Sequence, residues 1–455
     1  MENLIKAAQF FLSLSIIVLL HEFGHFITAR MFKTRVEKFY LFFDFLFPIP
    51  TLLNFSLFKK KIGDTEYGLG WFPMGGYVKI AGMIDESMDE EFLKSPPQPW
   101  EFRSKAPWQR LIIMLGGIIV NILLAFFINS MILMHWGSTT MPVQNAKYGF
   151  AIDSTARKIG LKEGDKIVSY NGGKKFKGAN TVPVDLLLDG ASTIEIERDG
   201  QKQTIAIPHS IYVEILANLK KGADFLTPLY PCVVDSVFPG TPIDKAGGKH
   251  DDKIIQVDSI PVTYFQDFRH QLQNFKGKST YIRVLRGSDT VRLDVAVPDS
   301  AIIGFRPYGW DKFLDVVEKK YGFFEAFPAG VVRTWDGFVN YLKQMKMVFN
   351  PELKGYKQVG SFFTIAQQFS PQWDWLRLWT LTAFLSVAIA FVNLLPIPML
   401  DGGYAFFLII EMITGKTPSE KFMERAQVVG LIIILSLMVF ALGNDILRTF
   451  FGVHW

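Results

Sequence analysis

The chain has 455 residues, 49% hydrophobic and 15% aromatic, with the apolar residues gathered in blocks, which places it among membrane proteins and leaves length for several domains. Its formal net charge of +5 is small, its Lys and Arg cluster at the flanks of apolar runs, and no nucleic-acid-binding motif is present, so the basic excess reads as membrane topology. The single Cys232 excludes an internal disulfide framework and a Cys-rich zinc site, leaving His and carboxylates to hold a metal.

The first apolar run, about Leu4 to Ala29, lacks a basic leader and a small-residue cleavage site before it, and it is expected to remain as a membrane helix. Arg30, Lys33, Arg35 and Lys38 follow it. The positive-inside rule puts that end in the cytoplasm and the N-terminus outside. Inside this run sits His21-Glu22-Phe23-Gly24-His25. On a helix His21 and His25 are one turn apart on one face, where two imidazoles can bind one Zn²⁺, and Glu22 lies beside them to take a proton from water. Two histidines on a helix surface are the plain alternative. That explains little in a stretch without a water-facing surface, where each ionisable group costs roughly 2.5–3.5 kcal/mol and is normally functional.

From Phe39 to Pro50 an aromatic, Pro-punctuated stretch is too short and broken to span and is expected to be interfacial or re-entrant. Glu66 to Gly82 (EYGLGWFPMGGYVKIAG) suggests a membrane-associated β-hairpin turning around Pro73-Met74-Gly75-Gly76. It serves either as an ordinary structural hairpin or as an edge, with Gly75 and Gly76, that holds substrate in extended form by strand addition. Asp85 to Pro99 reads as an acidic surface loop. A second span, Leu111 to Met134, then runs outward from Arg103, Lys105 and Arg110. Its Gly116, Gly117 and Asn121 suit helix packing, with substrate contact as the second reading.

Between Pro142 and Pro298 the composition turns polar and strand-like, and an internal repeat is visible: GLKEGDKIVSYNGGK (Gly160–Lys174) answers GGKHDDKIIQVDSIPV (Gly247–Val262). A small-residue helix, a Gly-Asp turn, an apolar strand and a closing hairpin resemble PDZ domains, which bind peptide ends by strand addition; a purely steric role is the alternative. Following an outward-running helix, the pair is expected to be extracytoplasmic. Asp311 to Phe349 is helix-like, aromatic and amphipathic, broken at Pro328, and suits the outer membrane interface. A third span, Leu376 to Leu395, ends in Asn393-Leu394-Leu395-Pro396-Ile397-Pro398-Met399-Leu400-Asp401-Gly402-Gly403, whose prolines and glycines break a helix at a depth where exposed backbone must line a protein cavity. A fourth span, Val428 to Leu442, leaves both termini outside.

The expected fold is thus a polytopic α-helical membrane protein with four transmembrane helices, a β-hairpin and two extracytoplasmic PDZ-like α+β domains. Its parts are a membrane core over 1–141, PDZ-like domains over 142–222 and 223–300, an amphipathic linker over 301–372, and the rest of the core over 373–455. A catalytic zinc usually has a third protein ligand. His135, His209, His250, His270 and His454 fall at membrane edges or in the outer domains, so Asp401, carried to the same side by an opposite-running span, is the best candidate; a helix-ending turn residue is the alternative.

Together HEFGH, PMGGYVKIAG, the Gly116–Asn121 motif, the tandem PDZ-like repeat and NLLPIPMLDGG resemble, in order along nearly the whole chain, the bacterial site-2 protease family of inner-membrane zinc metalloproteases. The resemblance implies His21, His25 and Asp401 as zinc ligands, Glu22 as catalytic base and Asn393 as a substrate-holding residue. It also implies intramembrane cleavage of single-pass membrane proteins in the lipid bilayer, such as anti-sigma factors already trimmed by an upstream site-1-type protease and remnant signal peptides, in a stress response. Ile118 stands where many members have Pro, and Tyr404 where His is frequent; neither is a ligand position, so they bear on substrate preference. Two other functions fit parts of the pattern: a non-proteolytic PDZ scaffold with a structural metal, and a metal-dependent transporter, although the membrane segments lack the repeat expected of one.

Overall fold

The apolar run at the N-terminus folds as one helix, Glu2–Met31, whose length of about 45 Å suffices to cross a bilayer. Three more helices are long and apolar enough to do so: Pro107–Trp136, Trp375–Leu394 and Lys421–Leu447, the last within Glu420–Phe451. These are the four expected spans, with ends shifted by one to several residues because backbone pairing does not stop where side chains turn polar. The second begins on Pro107, where a missing N–H costs nothing, and stops at Gly137 with φ of 72°. Asp374 caps the third by accepting the Arg377 N–H at 2.9 Å.

The computed structural model describes residues 2–46, 53–73, 75–83, 96–220, 225–353 and 355–451; most of the expected acidic loop (85–95), Met74 and His454 lie outside them. The chain forms two compact units, Met1–Gly137 with Lys320–Trp455, and Ser138–Lys319.

In the first unit the second span is the hub. The first span crosses it where Gly24 meets Gly116 backbone to backbone. The third joins both: its Ser386 Oγ donates to the Asn121 carbonyl at 2.7 Å and its Thr382 hydroxyl to Ser13 Oγ at 2.9 Å. The aromatic segment after residue 319 forms helix Phe323–Val348, which packs on the second span through Asn129 and Thr334 (3.0 Å) and leaves Phe324, Val331, Val332 and Trp335 exposed. Contrary to expectation it is not broken at Pro328. That proline lies in the second turn, removes one bond, to the Phe324 carbonyl, and the helix continues.

The expected hairpin is absent. Thr65–Gly70 and Tyr77–Ile80 do not pair with each other; both pair with Val36–Leu41, the first in parallel (Phe39 opposite Tyr67) and the second antiparallel (Phe39 opposite Val78). Val36–Leu41 opens the stretch read as interfacial. A hairpin does exist one strand earlier, Ser56–Ile62 with Thr65–Gly70 around Gly63 (φ 63°). Adjacent strands in sequence were separated here by a third strand from further upstream, whose Tyr40 fills the space over Gly68 and stacks on Tyr77 at 5.3 Å.

The unit Ser138–Lys319 repeats one plan twice. Each copy has a short helix (Ser154–Lys158; Pro242–Lys245), a strand (Lys166–Tyr170; Lys253–Val257), a longer helix (Val182–Asp189; Phe265–Gln273) and a hairpin (Thr193–Arg198 with Gln201–Ala206; Ser279–Arg286 with Asp289–Ala296). In each, the strand before the short helix pairs with one beyond the hairpin, Phe150–Ile152 with Leu226–Pro228 and Val234–Val237 with Phe305–Pro307. The same ion pair ties both copies. Arg198 binds Asp165 through Nε and Nη2, both at 2.7 Å, and Arg286 binds Asp252 at 2.8 and 2.7 Å.

Candidate metal centre

Three elements meet at one buried point. The first span brings His21, Glu22 and His25, the second presents Gly116, Gly117 and Asn121, and the break after the third brings Asp401. That break runs through Pro396 and Pro398 to Met399, whose φ of 81° is rare for a side-chain-bearing residue, and a new helix, Asp401–Thr414, starts on Asp401 itself. The sequence reading had no helix there. It ends at Gly415 (φ 68°), and its start, rather than a helix end, explains the Asp-Gly-Gly.

His21 Nε2, His25 Nε2 and Asp401 Oδ2 lie 3.3 Å from one another on every side of the triangle. Ligand atoms about 2.0–2.1 Å from a tetrahedral ion are separated by about 3.3 Å, so the spacing suits zinc. The donor chemistry agrees. His25 Nδ1 donates to the Ile113 carbonyl at 2.9 Å, which leaves the lone pair of a neutral ring on Nε2, and Asp401 Oδ2 is buried with no hydrogen-bond donor among the described residues. Two imidazole nitrogens and a carboxylate oxygen converging on one point fit a cation. Among the described residues this is the one His, Cys, Asp or Glu group able to hold a metal; His135, His209, His250 and His270 are not part of it.

The Gly116-Gly117 pair does more than admit a neighbouring helix. A Cβ on Gly117 would lie 2.5 Å from His25 Nε2 and 2.6 Å from His21 Cε1, inside the site. The same absence opens the Ile113 carbonyl, one turn earlier, to His25. The Ile113 carbonyl was not anticipated, and a glycine four residues after it is the signal that could have found it.

Glu22 is buried beside the triad. Asn393 Nδ2 stands 3.3 Å from His21 Nε2, and Asn121 Nδ2 3.1 Å from His21 Nδ1 on the opposite edge of the ring. The two glycines of the expected turn part company. Gly76 sits where a Cβ would be 2.8 Å from Val18 and 3.4 Å from Glu22 Cγ, so strand Tyr77–Ile80 begins against the first span next to the site, whereas Gly75 faces the Phe43 ring in the sheet's aromatic cluster. Tyr404 is engaged by Gln427, whose amide donates to its hydroxyl at 2.6 Å.

A protein of Neisseria meningitidis named as a zinc metalloprotease is 27% identical over 96% of this chain and 98% of its own length. The regulator of sigma-E protease RseP of Escherichia coli is 26% identical over 97% and 98%, and the regulator of sigma E protease of Haemophilus influenzae 26% identical over 98% and 100%. The model of peptidase family M50, the site-2 protease family, matches residues 9–437, nearly the full chain, and the chain therefore belongs to that family.

Proposed function

We propose that this chain is an intramembrane zinc endopeptidase that hydrolyses peptide bonds in the membrane-spanning segments of single-pass proteins. The observation that carries it is the convergence of His21, His25 and Asp401, lone pairs inward, among helices long and apolar enough to cross a membrane.

His21, His25 and Asp401 hold the metal. Bound zinc supplies Lewis acidity that polarises the scissile carbonyl and acidifies water. Glu22 takes the proton of the attacking water and passes it to the leaving amine nitrogen. Asn393, beside His21, donates to the carbonyl group being attacked, and Tyr77–Ile80, entering the site at Gly76, presents a strand edge along which an unwound substrate lies. The cofactor is zinc.

The finer reading extends the family resemblance. Substrates are anti-sigma-type proteins already shortened by another protease, and remnant signal peptides; the membrane is the bacterial inner membrane. The positive flanks support a site towards the cytoplasm and Ser138–Lys319 outside. The duplicated plan of that unit supports two PDZ-like domains, which exclude substrates with bulky outer parts. Deleting 142–298 should then let an untrimmed substrate be cut, and unchanged selectivity would sink the exclusion role.

The decisive experiment co-expresses a tagged single-pass protein truncated outside the membrane with the intact chain or Glu22→Gln. A smaller cytoplasmic fragment from the intact chain alone is expected. The same fragment from both would mean that another enzyme cuts, and no fragment from either would favour a scaffold with a structural metal.

A further inference from the structure

Asn121 is fully buried, so no substrate reaches it, yet it touches the metal centre from behind. Its Nδ2 lies 3.1 Å from His21 Nδ1, its Oδ1 is buried with no hydrogen-bond partner among the described residues, and its backbone carbonyl accepts from Ser386 Oγ at 2.7 Å.

We propose that Asn121 is a positioning residue whose carboxamide fixes the ring orientation and tautomer of His21, and that Ser386 of the third span in turn fixes Asn121. This rests on the ligand reading of His21, His25 and Asp401. A neutral imidazole that offers its Nε2 lone pair must carry its proton on Nδ1, and that buried N–H needs an acceptor. For His25 the acceptor is the Ile113 carbonyl. For His21 the group facing Nδ1 is the Asn121 carboxamide, whose oxygen and nitrogen exchange places by a half-turn about the terminal torsion with almost no change of shape. Oxygen inward, the amide accepts Nδ1–H, and the orphan oxygen gains a partner. Nitrogen inward, it drives the ring proton onto Nε2, against His25 Nε2 and Asp401 Oδ2, and His21 ceases to be a ligand. Ser386, on the span that ends at Asn393, anchors the backbone from which that carboxamide projects, so the second and third spans hold the first-span histidine together.

The test uses the full chain in detergent, comparing the parent with Asn121→Ala, Asn121→Asp, Ser386→Ala and His25→Ala. Zn²⁺ affinity is read by competition with a chromophoric chelator and coordination geometry by the visible spectrum of bound Co²⁺. Losing an outer-shell partner of this kind lowers metal affinity by about 10–100-fold, which is the fall expected for Asn121→Ala, with an altered Co²⁺ spectrum. Asn121→Asp, which offers only acceptor oxygens, should stay well above Asn121→Ala, and Ser386→Ala should show a smaller loss of the same kind. Parent-like affinity in Asn121→Ala, or Asn121→Asp as weak as Asn121→Ala, overturns the proposal. Should Asn121→Ala fail to fold, parent-like Zn²⁺ affinity and Co²⁺ spectrum in Ser386→Ala overturn it as well. His25→Ala separates the two levels: if it too binds Zn²⁺ like the parent, the ligand reading falls and this one with it; if it alone loses the metal, only the role of Asn121 falls.

Discussion

Asp252 and Asp401 are both aspartates withdrawn from water, in different units, and their surroundings are opposite. Asp252 accepts from the Lys249 N–H at 2.8 Å and from two guanidinium nitrogens of Arg286, and Asp165 repeats this with Lys162 and Arg198. Asp401 Oδ2 meets two imidazole nitrogens and no donor among the described residues. Asp445, near the end of helix Glu420–Phe451, is of the first kind, accepting from Ser361 and Thr364. A carboxylate ringed by donors holds a fold together; one that faces two imidazole nitrogens suits a positive ion.

That contrast can be broken from either side. Asp401→Ala should have the largest effect, since losing a metal's charge stabilisation of several kcal/mol lowers cleavage by roughly 10³–10⁵-fold. Fragment yield and zinc content should fall together. A variant that keeps both would remove Asp401 from the site. Gly117→Ala keeps every ligand residue but drives a carbon against the rings of His21 and His25, which must shift, so zinc affinity should fall by about 10–100-fold or more; normal affinity would mean that the second span is not the wall of the site.

On the other side of the contrast, Arg286→Ala strands a buried charge, at a cost of about 3–5 kcal/mol to the Ser138–Lys319 unit. Thermal unfolding of the full chain should register that loss, while cleavage of an already truncated substrate continues; loss of that cleavage would contradict the separation of roles. The smallest effect concerns Tyr212, whose phenol burial pushes up to about 12 while its hydroxyl donates to the Ala191 carbonyl. The folded unit keeps a proton that the unfolded chain releases near pH 10, so this contribution is complete below pH 10 and lost as pH rises towards 12. Tyr212→Phe should flatten alkaline unfolding in that window, and an unchanged profile would assign the loss to other groups.

The spans and the triad were legible because their signals are local: apolar runs of membrane length, an i, i+4 histidine pair, a broken helix ending in Asp401. The repeat was legible because GLKEGDKIVSYNGGK and GGKHDDKIIQVDSIPV share a turn ending in Asp before an apolar strand, and the structure adds that Asp165 and Asp252 each bind an arginine of the closing hairpin. Sheet order was not, since Val36–Leu41 inserts between Thr65–Gly70 and Tyr77–Ile80 and no short-range pattern encodes which strand lies between two others. Helix Asp401–Thr414 was missed because Gly402 and Gly403 look like a turn, although both pack against the Leu395–Pro398 break. Asn121 was left between packing and substrate because its partner, His21, lies 100 residues away.

The break that delivers Asp401 also sets a clock. Asn393 and His21 touch across 372 residues, and at about 5–20 residues per second a ribosome needs roughly 20–75 s to cover that distance. Throughout that interval the nascent chain already carries both histidines and the glutamate, but not the aspartate. A protease assembled from the two ends of its own message stays harmless to the membrane it is being threaded into until its synthesis is nearly finished.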